Sequence, residues 1–428
     1  MATKITGTSR LGRVVAAGMV GTTVEFYDFF LYGAASATIF GPVFFPKADG
    51  LLGVLLALVT YAVGFAARPV GGLVFGHYGD RIGRKRLLVA SLVLMGGSSV
   101  LIGLLPGYAQ IGVAAPILLT LLRLVQGFAL GGEFGGAVLL VAEHGPAARR
   151  GFWTSWPQTG GPLGNLLATG ALAAMAAVTS QAQYQSWGWR VPFVASVLLV
   201  LVGLWVRLRV EESPLFRQAA ANRAPTDRPP LLAALRRHPR ALFSVFAARV
   251  GENATFYVFT LFLLVYAKSI GLPAAVAAGA VTIGSVGQVL AMLAGGALSD
   301  RFGRRVVAVP AAVAAGLWAA AFFPLVASRQ QGAVVAAVVV GLVCHGVLTG
   351  AQSAFYAELF DTSVRYSGVS LGYQAATVVA GATAPLVGAA LLRSTGSTVP
   401  VAILLAGCLA LTIVGMLVAP ETRNRELS

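Results

Sequence analysis

Long apolar runs, separated by short stretches rich in charge, repeat along the whole chain. The runs lie near residues 11–40, 51–77, 87–106, 114–143, 150–177, 189–209, 239–267, 274–298, 306–328, 332–358, 366–393 and 398–419. A run of about 20 apolar residues is long enough to cross a bilayer as an α-helix. Because a helix satisfies its backbone hydrogen bonds internally, the pattern predicts an all-α membrane protein with twelve transmembrane helices.

One charged stretch occurs twice, at equivalent places in the order of the runs. Residues 76–86 read GHYGDRIGRKR between the second and third runs, and residues 296–306 read GALSDRFGRRV between the eighth and ninth. Repeats of this kind are typical of secondary transporters. We therefore predict two pseudo-symmetric six-helix bundles, formed by residues 1–209 and 239–428 and joined by a cytoplasmic linker at 210–238.

The composition excludes several classes of function. Hydrophobic residues make up 57% and charged residues 11% of the chain, whereas a soluble domain carries about 25% charged residues. The formal net charge of +16 does not indicate nucleic-acid binding, because most Lys and Arg residues lie in the termini, the linker and the loops that follow even-numbered runs. The opposite loops hold only Lys47, Arg190, Lys268, Arg329 and Arg393. By the positive-inside rule, both termini are predicted to be cytoplasmic.

No pattern typical of an enzyme, a metal site or a bound cofactor occurs in the sequence. The two cysteines, Cys344 and Cys408, lie inside apolar runs, which argues against a disulfide framework or a zinc site. The chain has no glycine-rich nucleotide loop, no metal-ligand cluster and no nucleophile with a nearby base. We therefore expect neither enzymatic activity nor a cofactor.

The first run carries acidic residues at its centre. Glu25, Asp28 and Tyr32 are spaced at i, i+3 and i+7, which places them on one face of a helix. Two carboxylates this close cannot both ionise cheaply in a low dielectric, so the pair can load and unload a proton. The alternative is that both simply pair with arginines on other helices.

Ionisable residues at membrane depth are costly and usually have a function. Beyond the first run they are Arg68, Arg123, Glu133, Arg249, Glu252 and His345. The fifth and eleventh runs are broken by Pro and Gly around Gln158 and Gln374, as expected for helices that line a cavity. We predict a polar cavity between the two bundles. Alternatives are that Arg68 only pairs with an acid of the first run, and that Arg249 and Glu252, at i, i+3, neutralise each other.

Several motifs resemble the major facilitator superfamily over nearly the full chain, and more narrowly its metabolite:proton symporter family. The repeated loop matches the superfamily element between its second and third helices. Glu143 and Arg150 match an element after the fourth helix, which Glu358 and Arg365 repeat in the second half. The stretches GTTVEFYDFFLYG, LRLVQGFALGGEFGGA and SWGWRVPF resemble the narrower family, whose members carry shikimate, α-ketoglutarate and dicarboxylates. The resemblance implies a monomeric, multi-pass transporter of the bacterial inner membrane, with a proton as its coupling ion.

The repeated motifs also have a physical interpretation. They place charged residues at the predicted cytoplasmic ends of both bundles: Asp80, Arg81, Arg84, Glu143 and Arg150 in the first half, and Asp300, Arg301, Arg304, Glu358 and Arg365 in the second. A single exposed ion pair contributes only about 0–1 kcal/mol, but a network can bias an equilibrium between two conformations. We predict a cytoplasmic gate that controls conformation without touching substrate.

These features predict a proton-coupled symporter that imports a small organic anion by alternating access. Its substrate-binding residues are predicted to be Arg123, Arg68, Arg249, Glu252, Tyr32, Gln158, Gln374 and His345, with an arginine fork holding the carboxylate. Asp28, Glu25 and Glu133 are predicted to carry the proton. The alternatives are a carrier of osmolytes such as proline or betaine, a drug exporter, or a membrane sensor without flux, which would need a soluble output domain.

Overall fold

The computed structural model describes residues 7–48, 50–82, 84–131, 136–209, 236–423, 425 and 427. These described residues are almost entirely helical and contain no β-strand. We number the long helices α1 to α12 in chain order, and the segments of an interrupted helix share one number.

The first half of the chain supplies α1 to α6. Helix α1 spans Gly7–Thr38, α2 Gly50–Ile82, α3 Arg84–Leu104, α4 Ala114–Gly131 and Gly136–His144, α5 Arg150–Gln158 and Gly160–Val178, and α6 Arg190–Arg209. Short helical segments between them are Phe40–Phe44, Tyr108–Ile111, Ala147–Arg149, Gln181–Gln183 and Tyr184–Gly188.

The second half supplies α7 to α12. Helix α7 comprises Pro239–Tyr257 and Leu263–Ser269, α8 spans Ala274–Phe302, α9 Arg304–Ala327, α10 Gln331–Glu358, α11 Thr362–Ala376 and Thr383–Thr395, and α12 Val399–Val418. Two of these helices contain a π-helical turn, Val258–Phe262 in α7 and Thr377–Ala382 in α11.

The helix lengths confirm the predicted all-α membrane fold. Within the described residues, ten helices are long and apolar enough to cross a membrane, and the pair Gln181–Gly188 and Arg190–Val206, bent by 45°, makes an eleventh. The shorter apolar helix Val89–Leu104 lies where the third span is predicted, after the charged stretch that begins α3. The chain is therefore a multi-pass membrane protein.

The packing places several helices around a common centre. Helix α1 packs on α5, α2 on α4 and α3 on α6, while in the second half α8 packs on α10 and α7 on α12. Contacts between the two halves run from α5 to α8 and α10, and from α2 to α11. The predicted domain limits fall in part on residues 210–235, which lie outside the described residues, and remain a prediction.

Glycine lets α2 and α4 approach each other closely. A Cβ added at Gly127 would lie 1.8 Å from the carbonyl oxygen of Gly64, and one added at Gly71 would lie 1.9 Å from that of Phe128. A Cβ at Gly131 would lie 2.0 Å from the carbonyl oxygen of Arg68. Small residues at a helix interface are the usual route to close packing in membranes. This contact brings the arginines of α2 and α4 close to the aromatic residues of α1.

The distribution of apolar and charged side chains between the surface and the interior is the reverse of that in a soluble protein. Large apolar side chains such as Leu198, Leu290 and Leu317 are exposed on the outside, whereas charged residues such as Arg123 are fully buried. This distribution fits a lipid solvent, in which polar groups are costly unless they face the protein interior.

Candidate functional site

A cavity of about 60 Å³ lies between the two halves. Helices α1, α2, α4, α5, α7, α8, α10 and α11 all contribute to its wall. The polar residues that line it include Glu25, Arg68, Gln158, Arg249, Glu252, Gln288, His345, Thr349 and Gln374. The structure thus brings most of the predicted cavity residues together, although Arg123, Tyr32 and Asp28 lie elsewhere.

Irregular helix geometry surrounds this cavity. The regular hydrogen bonding of α5 is interrupted directly after Gln158, and the π-helical turn of α11 begins three residues after Gln374. The π-helical turn of α7 follows Tyr257, another residue of the cavity wall. Such turns occur frequently at functional sites. They fit the prediction that Pro and Gly in α5 and α11 mark helices that line a cavity.

Arg68 is a buried cation with free hydrogen-bonding capacity. Its guanidinium lies 4.4 Å from the ring centroid of Phe29 and 4.6 Å from that of Phe65. These cation–π contacts offset part of its desolvation. Its Nε and Nη2 atoms have no hydrogen-bond partner among the described residues. Because Arg68 lines the cavity, these donors are suited to an anionic ligand.

Arg249 and Glu252 form an ion pair inside α7. The i, i+3 pairing considered from the sequence is therefore present. Arg249 also lies 3.9 Å from the ring centroid of Tyr373. Glu252 accepts a hydrogen bond from Thr349 at 2.8 Å and lies 3.0 Å from Nε2 of His345. All members of this cluster are buried, so the carboxylate is enclosed by donors.

Arg123 does not line the cavity. Its guanidinium lies in an aromatic cage formed by Phe29, Tyr32 and Tyr61. Its guanidinium is 4.3, 4.5 and 4.5 Å from the three ring centroids. Its Nη1 donates to Oε1 of Gln126 at 3.1 Å. Tyr32 is fully buried beside it and shares a hydrogen bond with Thr60.

An arginine buried in a membrane protein is costly and needs partners that offset its charge. No described carboxylate lies within ion-pair distance of Arg123, and Glu133 lies outside the described residues. Aromatic faces and the Gln126 amide offset part of its desolvation, since cation–π contacts strengthen when the site is desolvated. Its Nε and Nη2 atoms have no hydrogen-bond partner among the described residues. For Arg123 to touch a ligand in the cavity, the cage residues would have to move.

The two carboxylates of α1 lie in different surroundings. Glu25 lines the cavity, whereas Asp28 lies beside the hydroxyls of Ser99 on α3 and Ser196 on α6. One Asp28 oxygen, Oδ1, has no hydrogen-bond partner among the described residues. Three residues along a helix correspond to a separation of about 60° around its axis, which is enough to direct the two side chains to different neighbours.

An ion-pair cluster joins the two halves at the end of the molecule predicted to be cytoplasmic. Glu358 accepts hydrogen bonds from Arg150 at 2.9 Å and from Arg304 at 3.0 Å. Asp300 pairs with Arg304 at 2.7 Å and accepts the backbone N–H groups of residues 151 and 152, both at 2.8 Å. Arg365 lies 3.3 Å from Glu143. We call the Arg150, Asp300, Arg304 and Glu358 side chains the gate cluster.

Not all predicted gate residues join this cluster. Arg301 is exposed and lies over the ring of Phe302 at 5.2 Å from the centroid. The side chains of Asp80, Arg81 and Arg84 lie outside the described part of the chain.

The C-terminal segment adds contacts to the gate cluster that sequence reasoning did not assign. Thr422 donates to Oε2 of Glu358 at 2.6 Å, and Glu421 accepts the backbone N–H groups of Arg304 and Arg305. Burial alone would raise the pKa of Glu421, but backbone N–H donors hold the pKa below its usual value. The Pro-Glu-Thr-Arg motif at residues 420–423 is the feature of the sequence that could have indicated these contacts.

Aromatic residues pack between the halves on the other side of the cavity. Phe30 of α1 lies 5.0 Å from Phe256 of α7, and Phe65 of α2 lies 5.9 Å from Tyr257, measured between ring centroids. Farther along, Asn165 on α5 donates to Ser285 on α8 at 3.3 Å. The halves therefore touch each other on both sides of the central cavity.

Apolar spanning helices, a charged central cavity and an ion-pair cluster between the halves define a polytopic membrane carrier. The sequence profile of the Major Facilitator Superfamily matches residues 19–375, and again residues 254–427. The chain belongs to this superfamily and is a transporter, not an enzyme.

Two transport proteins of Escherichia coli are similar to this chain over almost its whole length. The shikimate transporter of Escherichia coli is 40% identical over 421 residues, covering 97% of this chain and 96% of the relative. The inner membrane metabolite transport protein YhjE of the same organism is 38% identical over 421 residues, covering 97% and 95%.

The fold also matches a solved transporter structure. The proton:xylose symporter XylE bound to 6-bromo-6-deoxy-D-glucose superposes with a TM-score of 0.77 at 16% identity, covering 99% of this chain and 98% of that one. At this identity the likeness concerns the fold alone, and it confirms the predicted major facilitator architecture.

Proposed function

We propose that this protein imports a small organic anion together with a proton across the bacterial inner membrane by alternating access. The observation that carries the proposal is Arg68, a buried cation of the cavity wall whose Nε and Nη2 atoms have no partner among the described residues. Buried donors without partners are costly. A carboxylate supplies two acceptor oxygens that match the planar guanidinium fork.

The rest of the cavity suits the remainder of such a substrate. Arg249 lines the opposite wall and keeps an unpartnered Nε, while Gln158 and Gln374 supply amide groups on α5 and α11. Amides can donate to or accept from hydroxyl and carbonyl groups. We therefore assign the carboxylate to Arg68, with Arg249 as a second cation, and the other polar groups of the substrate to the glutamines.

The contacts that Glu252 already makes favour an anionic substrate over a cationic or zwitterionic one. Glu252 is already engaged by Arg249, His345 and Thr349. A substrate cation would have to displace these partners, which leaves a buried charge uncompensated. This argues against a betaine carrier and against an exporter of cationic drugs.

We assign the proton to the carboxylates of α1. We also propose that both termini are cytoplasmic and that the monomer is the functional unit. Glu25 lies in the cavity wall, and Asp28 is buried next to two serine hydroxyls. Either group can neutralise its charge by binding a proton in a low dielectric. Glu133, also predicted to act here, lies outside the described residues. The name of the shikimate transporter supports the substrate class, because shikimate is a hydroxylated carboxylic acid.

Uptake into proteoliposomes tests the proposal. Wild-type protein should accumulate shikimate or a related acid when the interior is alkaline, and betaine should not compete. Arg68→Gln should weaken apparent affinity for the acid by about 10–100-fold, because a hydrogen bond to a charged group contributes about 1.5–3 kcal/mol. The apparent affinity of Arg68→Lys should lie between those of the wild type and Arg68→Gln, because the point charge of a lysine replaces the planar guanidinium fork.

The exposed Arg240 provides the matched control. Arg240→Gln removes one positive charge outside the cavity and should leave the apparent affinity unchanged. Near-normal affinity in Arg68→Gln, or a wild-type protein that prefers betaine to every acid offered, would contradict the proposal.

A further inference from the structure

The wall of the central cavity contains two arginines whose charges are not equally available to a ligand. Arg68 of α2 and Arg249 of α7 both line the cavity, and both are buried. Arg249 forms an ion pair with Glu252, which lies three residues along the same helix. None of the ion pairs among the described residues includes Arg68. The cavity therefore presents one arginine with a balanced charge and one without.

Glu252 is held beside Arg249 by neighbours from α10. Its Oε2 accepts a hydrogen bond from Nη1 of Arg249, and its Oε1 accepts one from the hydroxyl of Thr349 at 2.8 Å. The same Oε1 lies 3.0 Å from Nε2 of His345, whose Nδ1 lies 2.6 Å from Nε2 of Gln288. Both carboxylate oxygens thus have partners. A ligand that drew Arg249 away would leave a buried negative charge uncompensated, which is strongly unfavourable.

The remaining walls of the cavity add no other basic residue. Among the described residues that line the cavity, the basic side chains are Arg68, Arg249 and His345, and His345 lies against Glu252. Helix α1 contributes an acidic residue, Glu25. A second negative group on a substrate would therefore have to compete with Glu252 for a basic side chain that Glu252 already engages.

We propose that Glu252 makes the site selective for acids with a single carboxylate. The substrate carboxylate binds at Arg68, while Glu252 balances the charge of Arg249 and leaves no free cation for a second carboxylate. A dianion would bring one more charge into the cavity without a counter-charge, which is costly in a low dielectric. This inference rests on the proposed function and narrows the substrate class to monocarboxylic acids.

The charge balance predicts how the selectivity changes when Glu252 is replaced. In Glu252→Gln the side chain keeps its shape and an oxygen for Thr349, but Arg249 becomes an unbalanced cation at the cavity. A second carboxylate can then pair with the guanidinium fork. Removal of both charges, in the double variant Arg249→Gln with Glu252→Gln, makes this wall neutral again. The preference for monocarboxylic acids should therefore be lost in the single variant and regained in the double variant.

Binding of matched acids to the purified protein tests the selectivity. The probes are shikimate, glutarate, isophthalate and the monomethyl esters of the two diacids, so that each ester keeps the skeleton of its diacid and loses one charge. The rise in melting temperature with ligand concentration gives each apparent affinity. In the wild type each ester should bind about tenfold or more tightly than its diacid, because a hydrogen-bonded charge pair is missing for the second carboxylate. An ester that binds no better than its diacid overturns the inference.

The variants then test whether Glu252 is responsible. In Glu252→Gln, the diacids should bind about tenfold or more tightly than they bind to the wild type. Arg249→Gln alone leaves the Glu252 charge facing the anion, so it should weaken the binding of every acid by about tenfold. The double variant should recover most of that loss and prefer the esters.

The double variant keeps the test decisive even where Glu252→Gln does not fold. A double variant that binds acids as weakly as Arg249→Gln would mean that Arg249 acts by direct contact and not by balancing Glu252, which contradicts the inference. Unchanged preference for the esters in a folded Glu252→Gln would contradict it as well.

A control and the wild type separate the failure of each proposal. Asp361 lies outside the cavity in long, half-exposed ion pairs with His238 and Arg425. Asp361→Asn removes one negative charge and should keep the wild-type preference for the esters. If the wild type binds and carries no organic acid, the proposed function fails. If it binds acids but takes diacids as well as their esters, the selectivity alone is refuted.

Discussion

At the scale of single residues, the two carboxylates of α1 have different neighbours although they are three residues apart. Glu25 reaches the cavity, while Asp28 lies between α1, α3 and α6 beside Ser99 and Ser196. Both serine hydroxyls donate to backbone carbonyls of their own helices. Both hydroxyls also lie beside the Asp28 carboxyl, but its Oδ1 has no hydrogen-bond partner among the described residues. Binding of a proton would lower the cost of burying this group.

We expect Asp28→Asn to separate transport from the proton gradient. Asn keeps the shape of the side chain but does not titrate. A gradient of one pH unit supports up to about tenfold accumulation when one proton moves with one monovalent anion. In the variant this ratio should fall to about one, while exchange of labelled for unlabelled acid continues. Flux assays in proteoliposomes measure both quantities.

Ser196→Ala provides the comparison for this variant. It alters the same buried position from α6 but keeps the carboxylate, and it should still accumulate substrate. Continued accumulation by Asp28→Asn would exclude Asp28 as the coupling group and leave Glu25 or Glu133.

At the scale of the helices, close backbone contact between α2 and α4 positions the arginines. A Cβ added at Gly71 or Gly127 would meet a carbonyl oxygen of the neighbouring helix, and one added at Gly64 would lie 2.6 Å from Nε of the Arg123 side chain. The result is that Arg68 of α2 and Arg123 of α4 both lie against Phe29 of α1, at 4.4 and 4.3 Å from its centroid. Helix packing therefore places the two cations near each other.

Gly127→Ala should disturb the packing of α2 against α4 more than the same substitution at a glycine with open space around it. Its Cβ would lie 1.8 Å from the Gly64 carbonyl oxygen, so the helices must separate, and overpacking typically costs about 1–3 kcal/mol. We expect a lower melting temperature in detergent and weaker substrate binding. Gly170→Ala on α5 has open space around its Cβ and should behave as wild type. Equal melting temperatures of the two variants would contradict this account.

At the scale of the whole molecule, the gate cluster holds together elements from both halves. Arg150 and the backbone at the start of α5 come from the first half, and Asp300, Arg304 and Glu358 come from the second. The segment around Glu421 and Thr422 closes over the same group.

The contact of Glu421 with the segment around Arg304 is expected to respond little to physiological pH. The pKa of Glu421 is lowered from its usual value, about 4.3. The stabilisation from its ionised form is therefore complete above that usual pKa and is lost only as the pH falls through the lower value in the folded protein. Between about pH 5 and pH 8 the C-terminal contact should therefore remain in place.

Loss of Glu358 should open the gate end without changing selectivity. Its carboxylate accepts from Arg150, Arg304 and Thr422, and removing charge-assisted hydrogen bonds of about 1.5–3 kcal/mol shifts a two-state equilibrium by about 10–100-fold. In Glu358→Gln, we expect faster thiol labelling at Ser155→Cys, a buried position on α5, in a chain without Cys344 and Cys408.

Asp361→Asn provides the control, because its ion pairs with His238 and Arg425 are long and half-exposed and should contribute little. The order in which other acids inhibit uptake should stay the same in both variants. A changed order in Glu358→Gln would mean that the gate cluster also contacts substrate.

The sequence by itself determined the membrane-spanning helices, the repeat and the pool of buried polar residues. These follow from local physical chemistry: the length of an apolar run matches the bilayer thickness, and an i, i+3 spacing is enough to pair Arg249 with Glu252. Only the tertiary structure decided which polar groups meet. The cavity position of Arg68 and Glu25, the aromatic cage of Arg123 and the bond of Gln288 to His345 depend on how each helix is rotated against its neighbours. That rotation is decided by glycine contacts and side-chain packing between distant segments, which periodicity along one helix does not contain.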